Sequence, residues 1–350
     1  MKYKHLIVYL PLAGALLLSA GQRLTSFHKK GVSDTIYFKA PLNFPQPESF
    51  TVKNRVTREG FLLGKAMFFD ARLSADGRIS CASCHQQSAA FANLNSAFSN
   101  GINGQKGSRN TPALFNLAWQ KEFMWDGRLN SLSLVPVNAL TSPLEMGNSM
   151  DHVLETVRQD KSYPMQFKRI FGTNSITQDL LLDALSQFTA MLISANSKYD
   201  QVIRREGNSM FSANEQAGYL LFQQKCNNCH TQPLFTDKSY RNNGLDLKYS
   251  DNGRDSLTHQ IADLAKFKVP SLRNIEITGP YMHDGRFRTL KQVLQHYDSG
   301  MKAHANLDAA FNKEIVPGIR LNLHEQEDLI SFLKTLTDVS FINDRHFNLN

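Results

Sequence analysis

The chain has 350 residues, of which 41% are hydrophobic and 20% are charged, a balance that is typical of globular proteins and excludes disordered and fibrous classes. This length is sufficient for two domains of ordinary size, each with its own core. The formal net charge is +8, but lysine and arginine form no run and no basic–aromatic stripe, so the composition argues against nucleic-acid binding.

The first 21 residues have the features of a secretory signal peptide. Lys2 and Lys4 precede an apolar run over residues 6–20, which ends in small residues. A basic start, an apolar centre and a small-residue end are typical of a cleavable signal. The run is short for a membrane span, so an uncleaved anchor is the less favoured alternative. We therefore expect a periplasmic protein that does not span the membrane when mature.

Residues 22–50 are polar and contain three prolines, which predicts an extended lead-in without a core of its own. An N-terminal domain is predicted over residues 51–205. Within it, apolar residues at helical spacing predict a helix from Thr57 to Phe69 and a longer one from about Thr177 to Tyr199.

Two copies of one pentapeptide use all four cysteines of the chain, CASCH at residues 81–85 and CNNCH at residues 226–230. C-x-x-C-H is typical of c-type haem attachment, because two thiols at this spacing can bind the two vinyl groups of one haem while the histidine ligates the iron. A single C-x-x-C could also belong to a zinc site or a redox disulfide. The duplication therefore predicts two covalently bound haem c groups, held by Cys81, Cys84, His85, Cys226, Cys229 and His230.

The second half, residues 206–340, is predicted to form a C-terminal domain that is also helical. Capping boxes begin at Ser212, Thr289 and Asn322, and the predicted helices run from them to about residues 226, 297 and 336. No convincing alternating strand occurs. The predicted fold class is all-α, with long ordered loops and little strand.

An internal repeat relates the two halves. Residues 112–116 (PALFN) match residues 270–274 (PSLRN), and with the same spacing residues 125–128 (WDGR) match residues 283–286 (HDGR). The repeat indicates two haem domains in tandem, with a boundary between residues 196 and 208. We also consider that the last helix packs back on the first domain.

The repeat predicts that the two irons differ in the ligand available on the side opposite the motif histidine. Fourteen residues after His283 the chain has Tyr297, whereas the same count from Trp125 gives Ala139. A side chain able to ligate iron is thus placed in one domain and a methyl group in the other. This predicts an open first iron and a capped second iron, with His296 and Met301 as rivals of Tyr297.

Three further side chains are less favoured ligands for the first iron, namely Met146, Met150 and His152. Trp125, taken without the repeat, is better interpreted as a buried core aromatic.

Five segments resemble the bacterial dihaem cytochrome c peroxidase and MauG superfamily, and together they extend over nearly the whole mature chain. They are residues 64–85, 109–112 (RNTP), 123–128 (FMWDGR), 143–146 (PLEM) and 267–285, which contains PYMHDG. The resemblance implies two cytochrome c-like haem domains in tandem. It makes the N-terminal haem peroxidatic and the C-terminal haem the electron-transfer centre.

The resemblance also implies roles for single residues. His85 and His230 match the proximal iron ligands, Trp125 matches the tryptophan between the haems, and Glu145 matches the catalytic carboxylate of the distal pocket. Asn110, Thr278 and Pro280 match an interdomain calcium site made of one amide side chain and backbone carbonyls. Oxygen ligands of this kind suit calcium.

Two departures separate this chain from the classical peroxidases of the family. No histidine occurs between His85 and His152, and Ile102 is near the place where those enzymes have a distal histidine. Tyr297 stands where they have a methionine, which is similar to the MauG pattern. A phenolate is a hard, anionic ligand that stabilises ferric iron. The first haem is therefore expected to be ready for peroxide when both irons are ferric.

The main functional prediction is a peroxidase that reduces hydrogen peroxide to water with electrons from a small protein, a cytochrome c or a cupredoxin. The enzymatic alternative is MauG-like oxidation of tyrosine or tryptophan side chains on a partner protein. The non-enzymatic alternative is a dihaem electron-transfer cytochrome. A homodimer is compatible with all three.

Overall fold

The structure is a computed structural model that describes residues 38–48, 56–312 and 315–349. The predicted signal peptide, residues 1–21, lies outside the described residues, and so does most of the lead-in. The described residues all belong to one compact unit.

The described chain is mainly helical, as predicted. Its α-helices are α1 (Arg58–Phe68), α2 (Cys81–Cys84), α3 (Val135–Thr141), α4 (Met150–Gln159), α5 (Tyr163–Phe171), α6 (Gln178–Ala190), α7 (Lys198–Ile203), α8 (Ala213–Lys225), α9 (Asp255–Thr258), α10 (Leu290–Gln295), α11 (Leu323–Lys334) and α12 (Val339–Ile342). Two strands of two residues each, β1 (Tyr240–Arg241) and β2 (Phe267–Lys268), pair antiparallel. Long loops with short 3₁₀ turns connect these elements, which confirms the all-α class with little strand.

Each half contains one pair of closely packed helices that meet at a glycine. In the first half α1 packs against α6, and in the second half α8 packs against α11. A Cβ atom added to Gly64 would overlap the carbonyl oxygen of Ala184, and one added to Gly218 would overlap that of Asp328. The absence of a side chain lets the two helix backbones approach this closely.

Two main hydrophobic clusters follow from these helix pairs. The first is built on α1, α4, α5 and α6, and it also contains Phe341 and Phe347 from the end of the chain. The second surrounds Phe332 of α11 and contains Tyr199 of α7. Helix α11 itself thus packs on α8, while the residues that follow α11 pack in the first cluster.

The internal repeat recurs in the backbone with a constant offset. Phe123 pairs with Leu129 in an isolated antiparallel bridge, and Tyr281 pairs with Phe287 in the same way. Left-handed φ angles also recur at matching positions, at Asn116 and Asn274 (56° and 56°) and at Met124 and Met282 (70° and 72°). The matched sequences therefore adopt matched loop conformations.

The helix predicted from Thr177 to Tyr199 is shorter than expected. Helix α6 ends at Ala190, and α7 begins only at Lys198. Between them, the backbone N–H groups of Ala195 and Asn196 donate to the Asp338 carboxylate (2.9 and 2.8 Å) instead of continuing a helix. The prediction was wrong here because the acceptor for these N–H groups lies more than 140 residues away in sequence.

The structure also bears on membrane insertion. Within residues 38–48, 56–312 and 315–349, no helix combines the length and the apolar character that crossing a bilayer requires.

Candidate haem sites

The first pentapeptide forms helix α2 and the residue that follows it. The Nδ1–H group of His85 donates to the carbonyl oxygen of Phe91 (2.8 Å). A carbonyl oxygen can only accept, so the proton is on Nδ1 and the Nε2 lone pair is left for a metal. Burial lowers the pKa of His85 to about 4, which keeps the imidazole neutral as ligation requires.

The second pentapeptide begins where α8 ends and repeats this arrangement. The Nδ1–H group of His230 donates to the carbonyl oxygen of Phe235 (3.2 Å). Burial lowers the pKa of His230 as well. Phe91 and Phe235 both have left-handed φ angles, 60° and 56°, which turn their carbonyl groups back toward the imidazoles. Both histidines are therefore prepared as neutral Nε2 ligands.

The four thiols are not paired in disulfides. Burial raises the pKa of the Cys81 and Cys226 thiols to about 12, so both thiols are protonated in the absence of a bound group. In the part of the chain that the structure describes, no group of three or more histidine, cysteine, aspartate or glutamate side chains could hold a metal ion. The motifs thus fit haem attachment better than zinc.

A cavity of about 300 Å³ lies beside the second pentapeptide. Its lining includes Cys226, Cys229 and His230, together with many apolar side chains. The Nε atom of Arg241, another lining residue, is buried and has no hydrogen-bond partner among the described residues. Paired thiols, a neutral imidazole, an apolar wall and an unpaired buried donor together fit a haem with its polar edge groups.

The structure separates the three ligand candidates for the second iron. Tyr297 lines the cavity with Cys226, Cys229 and His230. The Nε2–H group of His296 instead donates to the Asn243 carbonyl oxygen (2.9 Å). Met301 packs in a small cluster with Leu307 and Phe311. Of the three, only Tyr297 is among the residues that line this cavity.

Tyr297 lies in a π turn, His296–Gly300, that follows α10. Such turns are rare and often occur at functional sites. Burial raises the pKa of Tyr297 to about 12, and a hydrogen bond from the Asn243 side chain acts in the opposite direction. An iron ion would have to displace the phenol proton in this position.

Glu145 lies in the loop after α3, on the side of the first pentapeptide. Burial is the main cause of the raised pKa of the Cys81 and Cys84 thiols, and the negative charge of Glu145 adds to it, which places Glu145 near this motif. Burial raises the pKa of the Glu145 carboxyl itself. The amide of Asn138 donates to Oε1 (3.4 Å), and the backbone N–H of Ile102 donates to the Glu145 carbonyl oxygen (2.8 Å).

The less favoured ligands of the first iron have other contacts. Met146 is buried in the first hydrophobic cluster, and Met150 packs against the same cluster. His152 is exposed on α4, and its Nδ1 lies 2.9 Å from Oδ1 of Asn148.

Trp125 and the three expected calcium ligands lie together on the cavity wall. The indole N–H of Trp125 donates to the carbonyl oxygen of Asn110 (2.8 Å). The side-chain amide of Asn110 donates to the carbonyl oxygen of Ala97 (3.0 Å). Thr278 and Pro280 line the same cavity. The described structure thus brings these four predicted residues to one region.

One buried ion pair was missed by the sequence reasoning. Arg273 and Asp200 are fully buried and joined by two hydrogen bonds of 2.8 Å. Arg273 Nε also donates to the Pro233 carbonyl oxygen (2.9 Å), in the loop that follows His230. The repeat contained a signal for this ion pair. The residue of the first half that matches Arg273 is Phe115, and a charged residue in place of an apolar one needs a partner.

A second missed network surrounds the residue after Trp125. The Arg109 guanidinium binds Asp251 through two hydrogen bonds (2.7 and 2.8 Å) and Asp126 through one (2.7 Å). Arg128 also pairs with Asp126, which is fully buried. Asp126 is therefore fully engaged by two cations.

Comparison with known proteins finds consistent similarities. A family model described as di-haem cytochrome c peroxidase matches residues 58–208. The chain is 35% identical over 305 residues to the methylamine utilization protein MauG of Methylorubrum extorquens, covering 85% of this chain and 83% of that one. It is 34% identical over 280 residues to cytochrome c551 peroxidase of Nitrosomonas europaea, covering 79% of each. A crystal structure of a MauG-like protein associated with microbial copper homeostasis superimposes with a TM-score of 0.82 at 30% identity, covering 89% of this chain and 98% of that one.

We predict that the Arg273–Asp200 pair is necessary for the stability of the second site. Arg273→Met leaves the Asp200 charge buried and unpaired, so the free energy of unfolding should fall by about 3–5 kcal/mol. The double variant Arg273→Met/Asp200→Leu should recover most of this loss. Arg169→Met is the control, because its pair with Glu59 is exposed and should contribute about 0–1 kcal/mol. Denaturant unfolding of the haem-loaded protein measures all three, and equal losses in both single variants would contradict the prediction.

Proposed function

The chain belongs to the di-haem cytochrome c peroxidase family, and from this premise we propose that it is a periplasmic enzyme that reduces hydrogen peroxide to water with electrons from a small redox protein. The observation that supports the proposal most is the difference between the two sites. Tyr297 lines the same cavity as the second pentapeptide, whereas Glu145 lies near the first. The less favoured ligands of the first iron pack in the first hydrophobic cluster or are exposed.

Different residues of the chain would ligate the two irons and carry electrons between them. Nε2 of His85 would hold the first iron, and Nε2 of His230 with the Tyr297 oxygen would hold the second. When bound, the first haem would supply the iron that takes up peroxide, and the second would supply the iron that stores and passes electrons. Trp125, on the cavity wall between the halves of the repeat, would carry electrons between them.

Glu145 is the proposed acid–base group. Its carboxylate would take the proton from the near oxygen of hydrogen peroxide and return it to the leaving oxygen, which departs as water. Burial raises its pKa toward the operating pH, and this favours both halves of the proton transfer. The hydrogen bonds to Asn138 and Ile102 would hold the carboxyl group and its loop in place.

We also propose one calcium ion near the junction of the halves. Its ligands would be the side-chain oxygen of Asn110 and the backbone carbonyl oxygens of Thr278 and Pro280. The common position of these residues on one cavity wall supports this assignment, and the hydrogen bond from Trp125 to Asn110 would couple the ion to the electron path.

A second candidate function is peroxide-dependent oxidation of tyrosine or tryptophan side chains on a partner protein. The position of Tyr297 in the cavity beside the second pentapeptide and the 35% identity to a protein named MauG favour this candidate. Both candidates use the same two sites and differ in the final source of electrons.

We predict that Glu145→Gln slows the reaction with peroxide by about 10²-fold or more while both haems remain bound. Stopped-flow absorption of the as-isolated ferric protein measures this rate. In the native protein the rate should fall as the pH drops through the pKa of Glu145, which lies above its ordinary value of 4.5, because the base becomes protonated. Glu155→Gln, on the exposed face of α4, is the control. An unchanged rate in Glu145→Gln would remove this role.

We predict that Tyr297→Phe converts the second haem from six-coordinate to five-coordinate and high-spin. Its reduction potential should rise, because a hard anionic ligand is lost. Electron paramagnetic resonance and spectroelectrochemical titration measure both changes. Met301→Leu should leave both unchanged, since Met301 is not among the residues that line the cavity. The opposite result, a change in Met301→Leu alone, would assign the ligand to Met301.

We predict many turnovers when excess hydrogen peroxide is supplied with a reduced cytochrome c or cupredoxin. Donor oxidation at a steady rate, proportional to enzyme concentration, would support the peroxidase. Slow donor oxidation together with a mass change in a co-expressed partner protein would support the second candidate instead. A ferric protein whose spectrum does not respond to peroxide would indicate an electron-transfer cytochrome and contradict both.

A further inference from the structure

A partly buried lysine lies beside the cavity at the second pentapeptide. Lys268, in β2, lines the cavity, and so do Gln120 and Phe123, which surround its ammonium group. Its backbone N–H donates to the carbonyl oxygen of Trp125 (2.8 Å). The lysine is therefore tied to the same wall as the proposed bridging tryptophan.

The ammonium group of Lys268 has neutral hydrogen-bond partners. Nζ donates to Oε1 of Gln120 (2.8 Å) and to the carbonyl oxygen of Glu122 (2.7 Å). An ammonium has three N–H donors, so one remains. Burial lowers the pKa of Lys268 to about 8, and the negative charges of Glu122 and Asp126 act in the opposite direction.

The two carboxylates nearest to Lys268 are already committed to other groups. Glu122 accepts a hydrogen bond from the Tyr240 hydroxyl (2.7 Å) and pairs with Arg254 (3.6 Å). Asp126 is held by Arg109 and Arg128. Within the described residues Lys268 forms no ion pair, although a buried charge is costly unless it is paired. An anionic group that fills the cavity would supply an ion-pair partner for Lys268.

We propose that Lys268 is the cationic partner of a propionate carboxylate of the haem attached at Cys226 and Cys229. This inference rests on the proposed haem-dependent function, because it needs a haem in the cavity beside the second pentapeptide. A haem carries two propionates as its anionic groups, and a buried propionate needs a cation or hydrogen-bond donors. The lysine would then orient the haem and neutralise one of its charges.

The proposed pair has an electrostatic consequence for the second iron. A cation close to the haem disfavours the additional positive charge of ferric iron, so Lys268 should raise the reduction potential of the second haem. Tyr297 should act in the opposite direction. The two residues together would set the potential at which the second iron returns electrons to the first.

The test is the reduction potential of each haem in the haem-loaded variant Lys268→Met, measured by spectroelectrochemical titration. We expect the ratio of ferric to ferrous second haem at a fixed potential to rise at least tenfold, which corresponds to about 59 mV for one electron. The potential of the first haem should not move. Lys268→Arg should restore more than half of the shift, because it keeps the charge.

Lys266→Met is the matched control, since it removes the same charge two residues away from a lysine that pairs with Asp263 (3.4 Å). Lys268→Gln is a second neutral variant that keeps a hydrogen-bonding side chain and should show the same shift as Lys268→Met. A shift no larger than that of Lys266→Met, or a shift of the first haem alone, would overturn the proposal. Failure of the native protein to turn over peroxide would instead overturn the proposed function and leave the measured potentials as a separate result.

Discussion

The hydrogen bond from each motif histidine to a loop carbonyl is the interaction on which both sites depend. His85 donates to Phe91 and His230 donates to Phe235, so each imidazole is fixed with Nε2 free. The acceptors belong to residues with left-handed φ angles, which cost energy and persist only where the surroundings enforce them. The paired helices hold these residues in place: the Phe91 ring packs against rings of α1 and α6, and the Phe235 ring packs against rings of α8 and α11. Both sites therefore fix the motif histidine by the same kind of hydrogen bond.

The functional difference between the halves comes from single positions within this common plan. Ala139 in the first half corresponds to Tyr297 in the second, which lines the cavity. Phe115 corresponds to Arg273, whose charge is neutralised by Asp200 and whose guanidinium binds the loop after His230. The two halves thus share loop conformations and the hydrogen-bond geometry of the motif histidine. Substitutions on that backbone separated a site with a nearby carboxyl group from one with a nearby phenol.

The charged residues around Trp125 differ in whether they form ion pairs. Asp126 and Glu122 are paired with arginines, so their negative charges are compensated inside the protein. Lys268 has only neutral partners among the described residues and lines the cavity. A partly buried cation beside a cavity, without an ion pair among the described residues, is complementary to an anionic occupant. This complementarity agrees with a haem, whose edge carries carboxylates.

Local chemistry explains what the sequence alone determined about this protein. The two C-x-x-C-H motifs predicted the haem-attachment residues because the two thiols and the imidazole lie within five residues. The capping boxes at Ser212, Thr289 and Asn322 predicted helix starts because each box closes within one turn. The matched spacing of the repeat also pointed to Trp125 and Tyr297. Tertiary structure alone decided that α6 ends at Ala190 and that Tyr297 rather than His296 or Met301 lines the cavity. It also decided that the hydrogen-bond acceptors of the Lys268 ammonium among the described residues are neutral. Each of these outcomes depends on partners distant in sequence, whose approach no local pattern records.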